Sequence, residues 1–504
     1  MEEQDEPEHR LVTNYHERNI LMVADIYDLR SFIRRLDEEG ELARVKAKVD
    51  WKYELGAIAR KVFGPPPGPA LLFENVKDYA SPVFVGGVHT IRRIAIALGL
   101  APTTEEASLL KEYIRRLDQP IEPVIVKDGP CKEKKYFGND VDVLKFPVPW
   151  WNEQDGGRYI GTWNQVVTKD PETGWTNVGT YRMMAHEAKV CGIQFSPFQH
   201  IGLMYAKYQK MKRPMPVAIS IGNDPVAMFV SASPFPEGVN EWTMAGALRG
   251  RPLELVRGET VDLEVPSHSE IVLEGEIPPD EMRMEGPFGE HTGFYGGGIR
   301  PLPVVKIKCI THRENPIFRG SALGKPVTEQ NRVSWLAVVT QIWQVFKSSG
   351  FPGITRVTSH ASGDPEYSAV VAIKKSYASQ GLDAGRLLLS SKVGKIMKHV
   401  IVVNDDINIF DLNDVLWAIN TRVQAGRDIY ITHNESGSRL DPSQPYASIG
   451  FTDKMIIDAT WAMTPDHPPR QEWDGATHPP LIQTGEELQK FIEKRWSEYG
   501  IKWQ

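Results

Sequence analysis

Between Ile121 and Pro326 the chain is cut into short apolar segments by Pro, Gly, Asn and Asp, and this punctuation narrows the fold. Glu122–Lys127, Gln165–Lys169, Gly179–Ala185, Val217–Ile221, Ala227–Val230, Ile271–Leu273 and Val304–His312 follow one another closely. Many short strands at such spacing predict an antiparallel sheet or barrel. Helical spacing interrupts the pattern at Ile201–Met211 and Trp242–Leu248. The flanking regions alternate instead. On the N-terminal side, helices over Asp28–Gly40, Tyr53–Phe63 and Ile91–Leu98 are expected among strands at Leu42–Val49, Ala70–Phe73 and Val83–Val88. On the C-terminal side, strands at Tyr367–Lys374, His399–Val403, Ile429–Thr432 and Lys454–Asp458 are expected around helices at Gly385–Met397 and Leu412–Val423. Thr484–Tyr499 reads as a charged helix whose apolar stripe (Leu488, Phe491, Ile492, Trp496) docks on a partner subunit or on its own domain.

The expected organisation is a disordered acidic tail at 1–20, an α/β domain at 21–120, a strand-rich domain at 121–326 and an α/β domain at 327–480. A terminal helix over 481–504, expected to serve oligomerisation, completes it. The 504 residues suffice for roughly three domains. A net charge of −7 gives no electrostatic case for nucleic acid or anionic membrane. No apolar run approaches the ~18–20 residues that cross a bilayer. Met1–Glu8 is acidic and polar, unlike a presequence, and Cys131, Cys191 and Cys309 are few and far apart. Both features suit a reducing cytoplasm and argue against a disulfide framework or a Cys-rich zinc site.

One loop carries candidate chemistry. In Glu285-Gly-Pro-Phe-Gly-Glu290, followed by His291-Thr-Gly and Gly296-Gly297-Gly298, two carboxylates flank a segment rich in turn residues. The acids are expected on a tight loop or at a strand end. Such a loop is either an ordinary acidic surface turn or a site where one acid stays ionised and its neighbour keeps a proton. Three further features could converge on it. Arg182, in Asn177-Val-Gly-Thr-Tyr-Arg182, is expected at a strand position beside Met183 and Met184, where a buried cation needs a carboxylate or an anionic ligand. Phe198-Gln199-His200 precedes a helix and Glu241 opens another. Asn177, His200 and Glu241 form a plausible mixed set for Mn2+ or Mg2+. They serve equally as a turn former, a helix cap and a first-turn acid. No P-loop, dinucleotide fingerprint or nucleophile elbow is present, so a phosphate-bearing cofactor would be held by metal and basic side chains.

Taken together with Trp151-Asn-Glu-Gln-Asp-Gly-Gly157, Pro197-Phe-Gln-His200, Ile221-Gly-Asn-Asp224, Ala245-Gly-Ala-Leu248, Thr311-His-Arg313, Asp414-Val-Leu-Trp-Ala-Ile-Asn-Thr-Arg422 and Leu440-Asp-Pro442, these motifs resemble the UbiD-type reversible decarboxylases that use prenylated FMN. The pattern is most similar to the non-oxidative hydroxybenzoate and vanillate decarboxylases. The resemblance implies an α/β N-terminal domain, a flavin-reductase-like split β-barrel and a C-terminal α/β domain. It implies a catalytic set of Arg182, Glu285 and Glu290, with Glu290 as proton donor and Arg182 keeping Glu285 ionised. Divalent-metal ligands fall on Asn177, His200 and Glu241. A K+ site falls on backbone oxygens near Trp175, Val230, Ser231 and Ser233 together with Glu241. Gln199, Ser231 and Lys392 become cofactor contacts, and His291 and Leu440 line the substrate pocket. His291 either accepts a hydrogen bond from a ring substituent or faces away, satisfied by backbone. The implied partners are an aromatic, hydroxylated acid with CO2, a flavin prenyltransferase as cofactor supplier, and further copies of the chain in a homodimer or homohexamer. A carboxylase running the reaction in reverse and a non-catalytic flavin binder are the rival readings.

Overall fold

The structure is a computed structural model and describes residues 26–463, 467–482 and 484–501; the expected tail at 1–20 lies outside the described residues. The chain enters through helix Leu29–Glu38, started by a reciprocal cap in which the Asp28 carboxylate accepts from Ser31 N–H while the Ser31 hydroxyl reaches back. Its buried face is Leu29, Phe32, Ile33 and Leu36, at the spacing the sequence showed. It covers a four-stranded sheet ordered Leu42–Val45, Ala70–Phe73, Val83–Val85 and Phe318–Arg319. The last of these strands arrives from the far end of the strand-rich region, so that region is stitched into the N-terminal sheet.

The strand-rich region forms a ten-stranded antiparallel sheet that curls into a half-barrel. Its long central strand, Arg300–His312, pairs with Val190–Ile193, Ile271–Ile277, Met282–Glu285 and Lys134–Phe137. Helix His200–Lys210 packs against strands Asn164–Lys169 and Thr176–Gly179. Two expectations fail here. Ala227–Val230 is not a strand but lies in helix Pro225–Ser231, whose Asp224 cap and Pro225 at the first turn are start signals that a four-residue apolar run hides. The expected strand Gly179–Ala185 is broken: Thr176–Gly179 ends, Thr180–Arg182 form a corner, and Met183–Glu187 begins a separate strand.

The C-terminal region has a five-stranded sheet ordered Ile354–Thr358, Ser368–Ile373, His399–Asn404, Phe451–Ala459 and Ile429–Ser436, with three parallel strands at its centre. Helix Gln380–Ser390 starts earlier than expected and stops before a short turn at Val393–Lys395. The 21-residue helix Glu329–Ser349 joins this region to the rest. Buried Glu329 accepts from the main-chain N–H groups of Gly86 and Val88 and pairs with Arg319, so one carboxylate fastens three segments. A continuous apolar core runs through Leu36, Trp242, Trp335 and Val371. The terminal helix spans Glu486–Lys494, and its stripe is not buried on its own domain: Leu488 and Phe491 are exposed. Among the described residues no helix is long and apolar enough to cross a membrane.

Candidate active site

The two acids of the loop are buried, not on a surface turn. Glu285 ends strand Met282–Glu285 and is 0% exposed, and Glu290 is 6% exposed. Arg182, delivered by the corner after Gly179, joins them. Its Nε donates to Glu285 Oε1 at 3.0 Å and its Nη1 to Glu290 Oε1. The Phe288 ring lies 5.1 Å from the guanidinium carbon and packs on Tyr159. Arg182 Nη2 and Glu285 Oε2 are buried with no hydrogen-bond partner. Burial pushes the Glu285 carboxyl above the usual range, against the opposing pull of Arg182. The expected ionising effect of Arg182 is therefore present but outweighed by desolvation.

The loop's path is set by its neighbours. Gly286 has φ +96°, and a Cβ there would stand 2.2 Å from the Gly298 carbonyl oxygen, so a side chain is excluded. Pro287 O accepts from Gly156 N–H at 2.7 Å. The buried Asp155 carboxylate accepts from Gly289 N–H at 2.8 Å and from Asn152 N–H at 2.9 Å. Burial raises the Asp155 carboxyl, while those N–H groups pull it down. Asp155 lay inside a quoted motif without a role; its partner is more than a hundred residues away, so no spacing could reveal it.

His291 has a side-chain partner that the sequence reading did not name. Its Nδ1 lies 2.9 Å from the carboxylate of Asp364, which belongs to the C-terminal region, so a side chain and not the backbone satisfies this nitrogen. Burial opposes a charge there, but Glu366, Asp364 and Glu290 outweigh it and raise the imidazole to about 9. The raised imidazole favours the protonated ring, whose nitrogens donate. Leu440 is placed nearby: its carbonyl oxygen lies 3.4 Å from where a Cβ on Gly296 would stand.

Beside this triad lies a cavity of ≈ 280 Å³. Asn177, Gln199, His200, Ser231, Ser233, Glu241 and Lys392 line it, so the structure brings these predicted residues together. Gln330, Ser334 and Glu366, which the sequence reading missed, line it from the C-terminal side. Glu241 opens helix Glu241–Arg249, is 2% exposed and accepts from Val178 N–H at 3.0 Å. Burial pushes its carboxyl up to about 8, since no cation stands against it. Asn177 Nδ2 is buried and unpaired. Burial and then Lys392 lower the His200 imidazole, which keeps a lone pair free. Its ring packs edge-on to Trp175 at 4.9 Å, and Trp175 donates to Val239 O. Thr180 and Ser231 hydroxyls meet at 2.9 Å. Val230 is buried, and Ser233 turns its hydroxyl to Phe229 O. A buried acid short of a counter-charge, a neutral imidazole and an unpaired amide fit a cation shared with an anionic ligand. Among the described residues no group of three His, Cys, Asp or Glu forms a metal site by itself, so a ligand oxygen would be needed to complete one.

A half-barrel with a polar cavity lined by Asn177–Tyr181, and a buried Arg–Glu–Glu cluster that begins at the next residue, Arg182, define the protein class. Family models match it along most of its length: the 3-octaprenyl-4-hydroxybenzoate carboxy-lyase N-terminal domain over residues 33–117, the Rift-related domain over 123–326 and the C-terminal domain over 335–459. A phenolic acid decarboxylase of Sedimentibacter hydroxybenzoicus is 36% identical over 89% of this chain and 95% of its own length. The vanillic acid decarboxylase structure from that organism, in closed form, is 34% identical with a TM-score of 0.84, covering 94% of this chain and 99% of that one. The UbiD-class enzyme HmfF from Pelotomaculum thermopropionicum, solved in complex with FMN, is 32% identical with a TM-score of 0.81, covering 92% and 98%. An evolved dimeric form of HmfF, solved with prFMN, is 30% identical with a TM-score of 0.77 over the same shares. The chain belongs to the UbiD family of decarboxylases and is a carboxy-lyase.

Proposed function

We propose that the protein catalyses reversible, non-oxidative decarboxylation of an aromatic carboxylic acid, first among them hydroxylated ones, with prenylated FMN as cofactor. The observation that carries this reading is Arg182 holding Glu285 and Glu290 together, one residue beyond the segment Asn177–Tyr181 that lines a cavity with His200 and Glu241. Losing CO2 from an sp² carbon leaves a carbanion, and bound prenylated FMN supplies the electron sink that side chains lack. Asn177, His200 and Glu241 would hold its phosphate through Mn2+ or Mg2+. Backbone oxygens near Trp175, Val230, Ser231 and Ser233, with Glu241, would hold K+. Gln199, Ser231 and Lys392 would contact the cofactor.

Arg182 fixes both carboxylates. Glu290 delivers a proton to the carbon that CO2 leaves, and in the reverse direction removes it. Protonated His291 donates toward a ring substituent, and Leu440 closes the pocket beside Gly296. A flavin prenyltransferase supplies the cofactor, and the exposed terminal helix suits assembly into a homodimer or a larger homo-oligomer. The test is co-expression with a flavin prenyltransferase, followed by an absorbance spectrum and a CO2-release screen of aromatic acids. The wild type is expected to carry a flavin-like spectrum and release CO2. Glu290→Gln is expected to keep the spectrum and lose turnover. Near-normal turnover by that variant would remove Glu290 from the proton-donor role.

A further inference from the structure

Two buried polar atoms at the acid pair lack partners and approach the same point. Glu285 Oε2 and His186 Nε2 are both buried without a hydrogen bond. A Cβ on Gly192 would stand 2.5 Å from the first and 2.9 Å from the second, so the two atoms are at most 5.4 Å apart, the sum of those distances. Glycine at 192 is what keeps that approach open. A single water spans such a gap, and a turn of either side chain narrows it to a direct hydrogen bond. His186 owes its place to a bulge. Where strands Met183–Glu187 and Val190–Ile193 pair, Val190 stands opposite Glu187 and Cys191 opposite Ala185, so His186 is the extra residue. Bulges of this kind re-aim a side chain next to an active site. The strand that begins directly after Arg182 thus brings a second side chain to Glu285.

The groups around this contact define what it can do. Facing His186 from the outer side are Glu187 and Arg283, which pair with each other at 2.5 Å on the surface. Burial and then Arg283 lower the imidazole, against Glu187, so near pH 7 the ring is neutral, with one donor and one acceptor. Around Glu285, burial raises the carboxyl, Arg182 and then Arg300 draw it down, and Glu290 adds to the rise. Cys191 stays a thiol, pushed up to about 12, and Tyr159 gives its hydroxyl to Pro287 O. Arg182 holds Glu285 and Glu290 alike, yet Glu285 is the more deeply buried of the two. Desolvation left unanswered therefore puts a proton shared by the pair on Glu285, the wrong acid for delivery. A hydrogen bond given to the charged form of Glu285 reverses that order.

We infer that His186 is the second partner of Glu285: its Nε2–H donates to Oε2 across Gly192, so that Glu285 stays a carboxylate and the proton of the pair resides on Glu290. His186 touches no reacting atom and acts through Glu285, as a positioning residue. The inference rests on the decarboxylase reading and deepens it, by naming what decides which acid carries the proton.

The test has two arms on the full chain. In cofactor-free protein, nitrogen NMR of histidine-labelled samples follows the His186 ring, identified by its loss in His186→Leu. A proton on Nε2 is expected in the wild type at pH 7, with a fall of about one pH unit in the ring's titration midpoint in Glu285→Gln. In cofactor-loaded enzyme, His186→Leu is expected to lower plateau kcat about tenfold or more and to move the acid limb of the kcat profile to higher pH, with KM changed less than about twofold. His186→Gln, whose amide offers a donor at similar reach, is expected to recover most of both. A wild-type plateau and acid limb in His186→Leu, equal impairment in His186→Gln, or a His186 titration unmoved by Glu285→Gln overturns the inference. If no aromatic acid releases CO2, the decarboxylase reading fails, and the NMR comparison still decides whether His186 and Glu285 are partners.

Discussion

Asp155→Asn isolates how Glu290, the proposed proton donor, is aimed. Asp155 touches neither Glu290 nor Arg182, yet its Oδ1 accepts from Gly289 N–H at 2.8 Å, one residue before Glu290. Its Oδ2 accepts from Asn152 N–H at 2.9 Å and Asn152 Nδ2 at 3.2 Å. Asparagine is nearly isosteric but has one acceptor oxygen and one NH2. Either orientation sets a donor against a buried N–H and leaves it unpaired, at about 1–3 kcal/mol. Each ~1.4 kcal/mol is tenfold, so a cost that falls wholly on the placement of Glu290 lowers kcat about 5- to 140-fold. The assay is CO2 release by cofactor-loaded variant and wild type, with flavin absorbance recording cofactor content. Lower kcat at unchanged cofactor content is the expected result. Wild-type kcat would refute the aiming role, and lost flavin with normal turnover per bound flavin would assign Asp155 to the cavity instead.

Other substitutions probe the same frame from different sides. Gly286→Ala places a Cβ at φ +96° against Gly298 O, so it should cost at least about 1–2 kcal/mol of stability and displace both acids; a thermal midpoint and kcat equal to wild type would contradict this. His291, raised to about 9 in the fold from ~6.5 in the unfolded chain, contributes stability that is complete below ~6.5 and lost as pH rises through about 9. That contribution is on the order of 3 kcal/mol, so His291→Gln should flatten the fall in apparent thermal midpoint between pH 6.5 and 9.5, and an identical fall in both proteins would remove the His291–Asp364 pair as its source. Arg182→Lys keeps the charge but cannot reproduce the fork to Glu285 and Glu290, and kcat should fall at least about tenfold; near-wild-type turnover would mean that charge alone suffices.

What the sequence revealed and concealed follows physical lines. Arg182 stood out as a cation in an apolar run and Glu285 and Glu290 as acids in a turn-rich loop, but only the family resemblance joined them in one set. The alternation of the outer regions was legible from apolar periodicity. The long helix Glu329–Ser349 was not, because Val333, Trp335, Leu336, Val338, Val339 and Ile342 are all buried and leave no clear polar face to mark its period. Ala227–Val230 misled for a related reason, since a fully buried four-residue run looks the same in a helix or a strand. Asp155 and Asp364 carry no local signal. Each acts on a loop far away in the chain, and only the fold brings the partners together.

The break after Gly179 couples the two halves of the site. In an unbroken strand, side chains alternate between faces, and residues five apart, such as 177 and 182, point to opposite ones. Here the strand stops, and the corner at Thr180–Arg182 redirects the chain. Asn177 lines the cavity and Val178 N–H binds Glu241, Thr180 meets Ser231, and Arg182 reaches the two buried carboxylates. One short segment therefore sets both the cavity residues and the arginine that holds Glu290. Because Val178 is tied to Glu241 at one end and Arg182 to Glu285 at the other, a shift of one residue in this segment would displace both ends at once. The expected strand through Arg182 would have lost this coupling, which makes the broken strand a condition of the site.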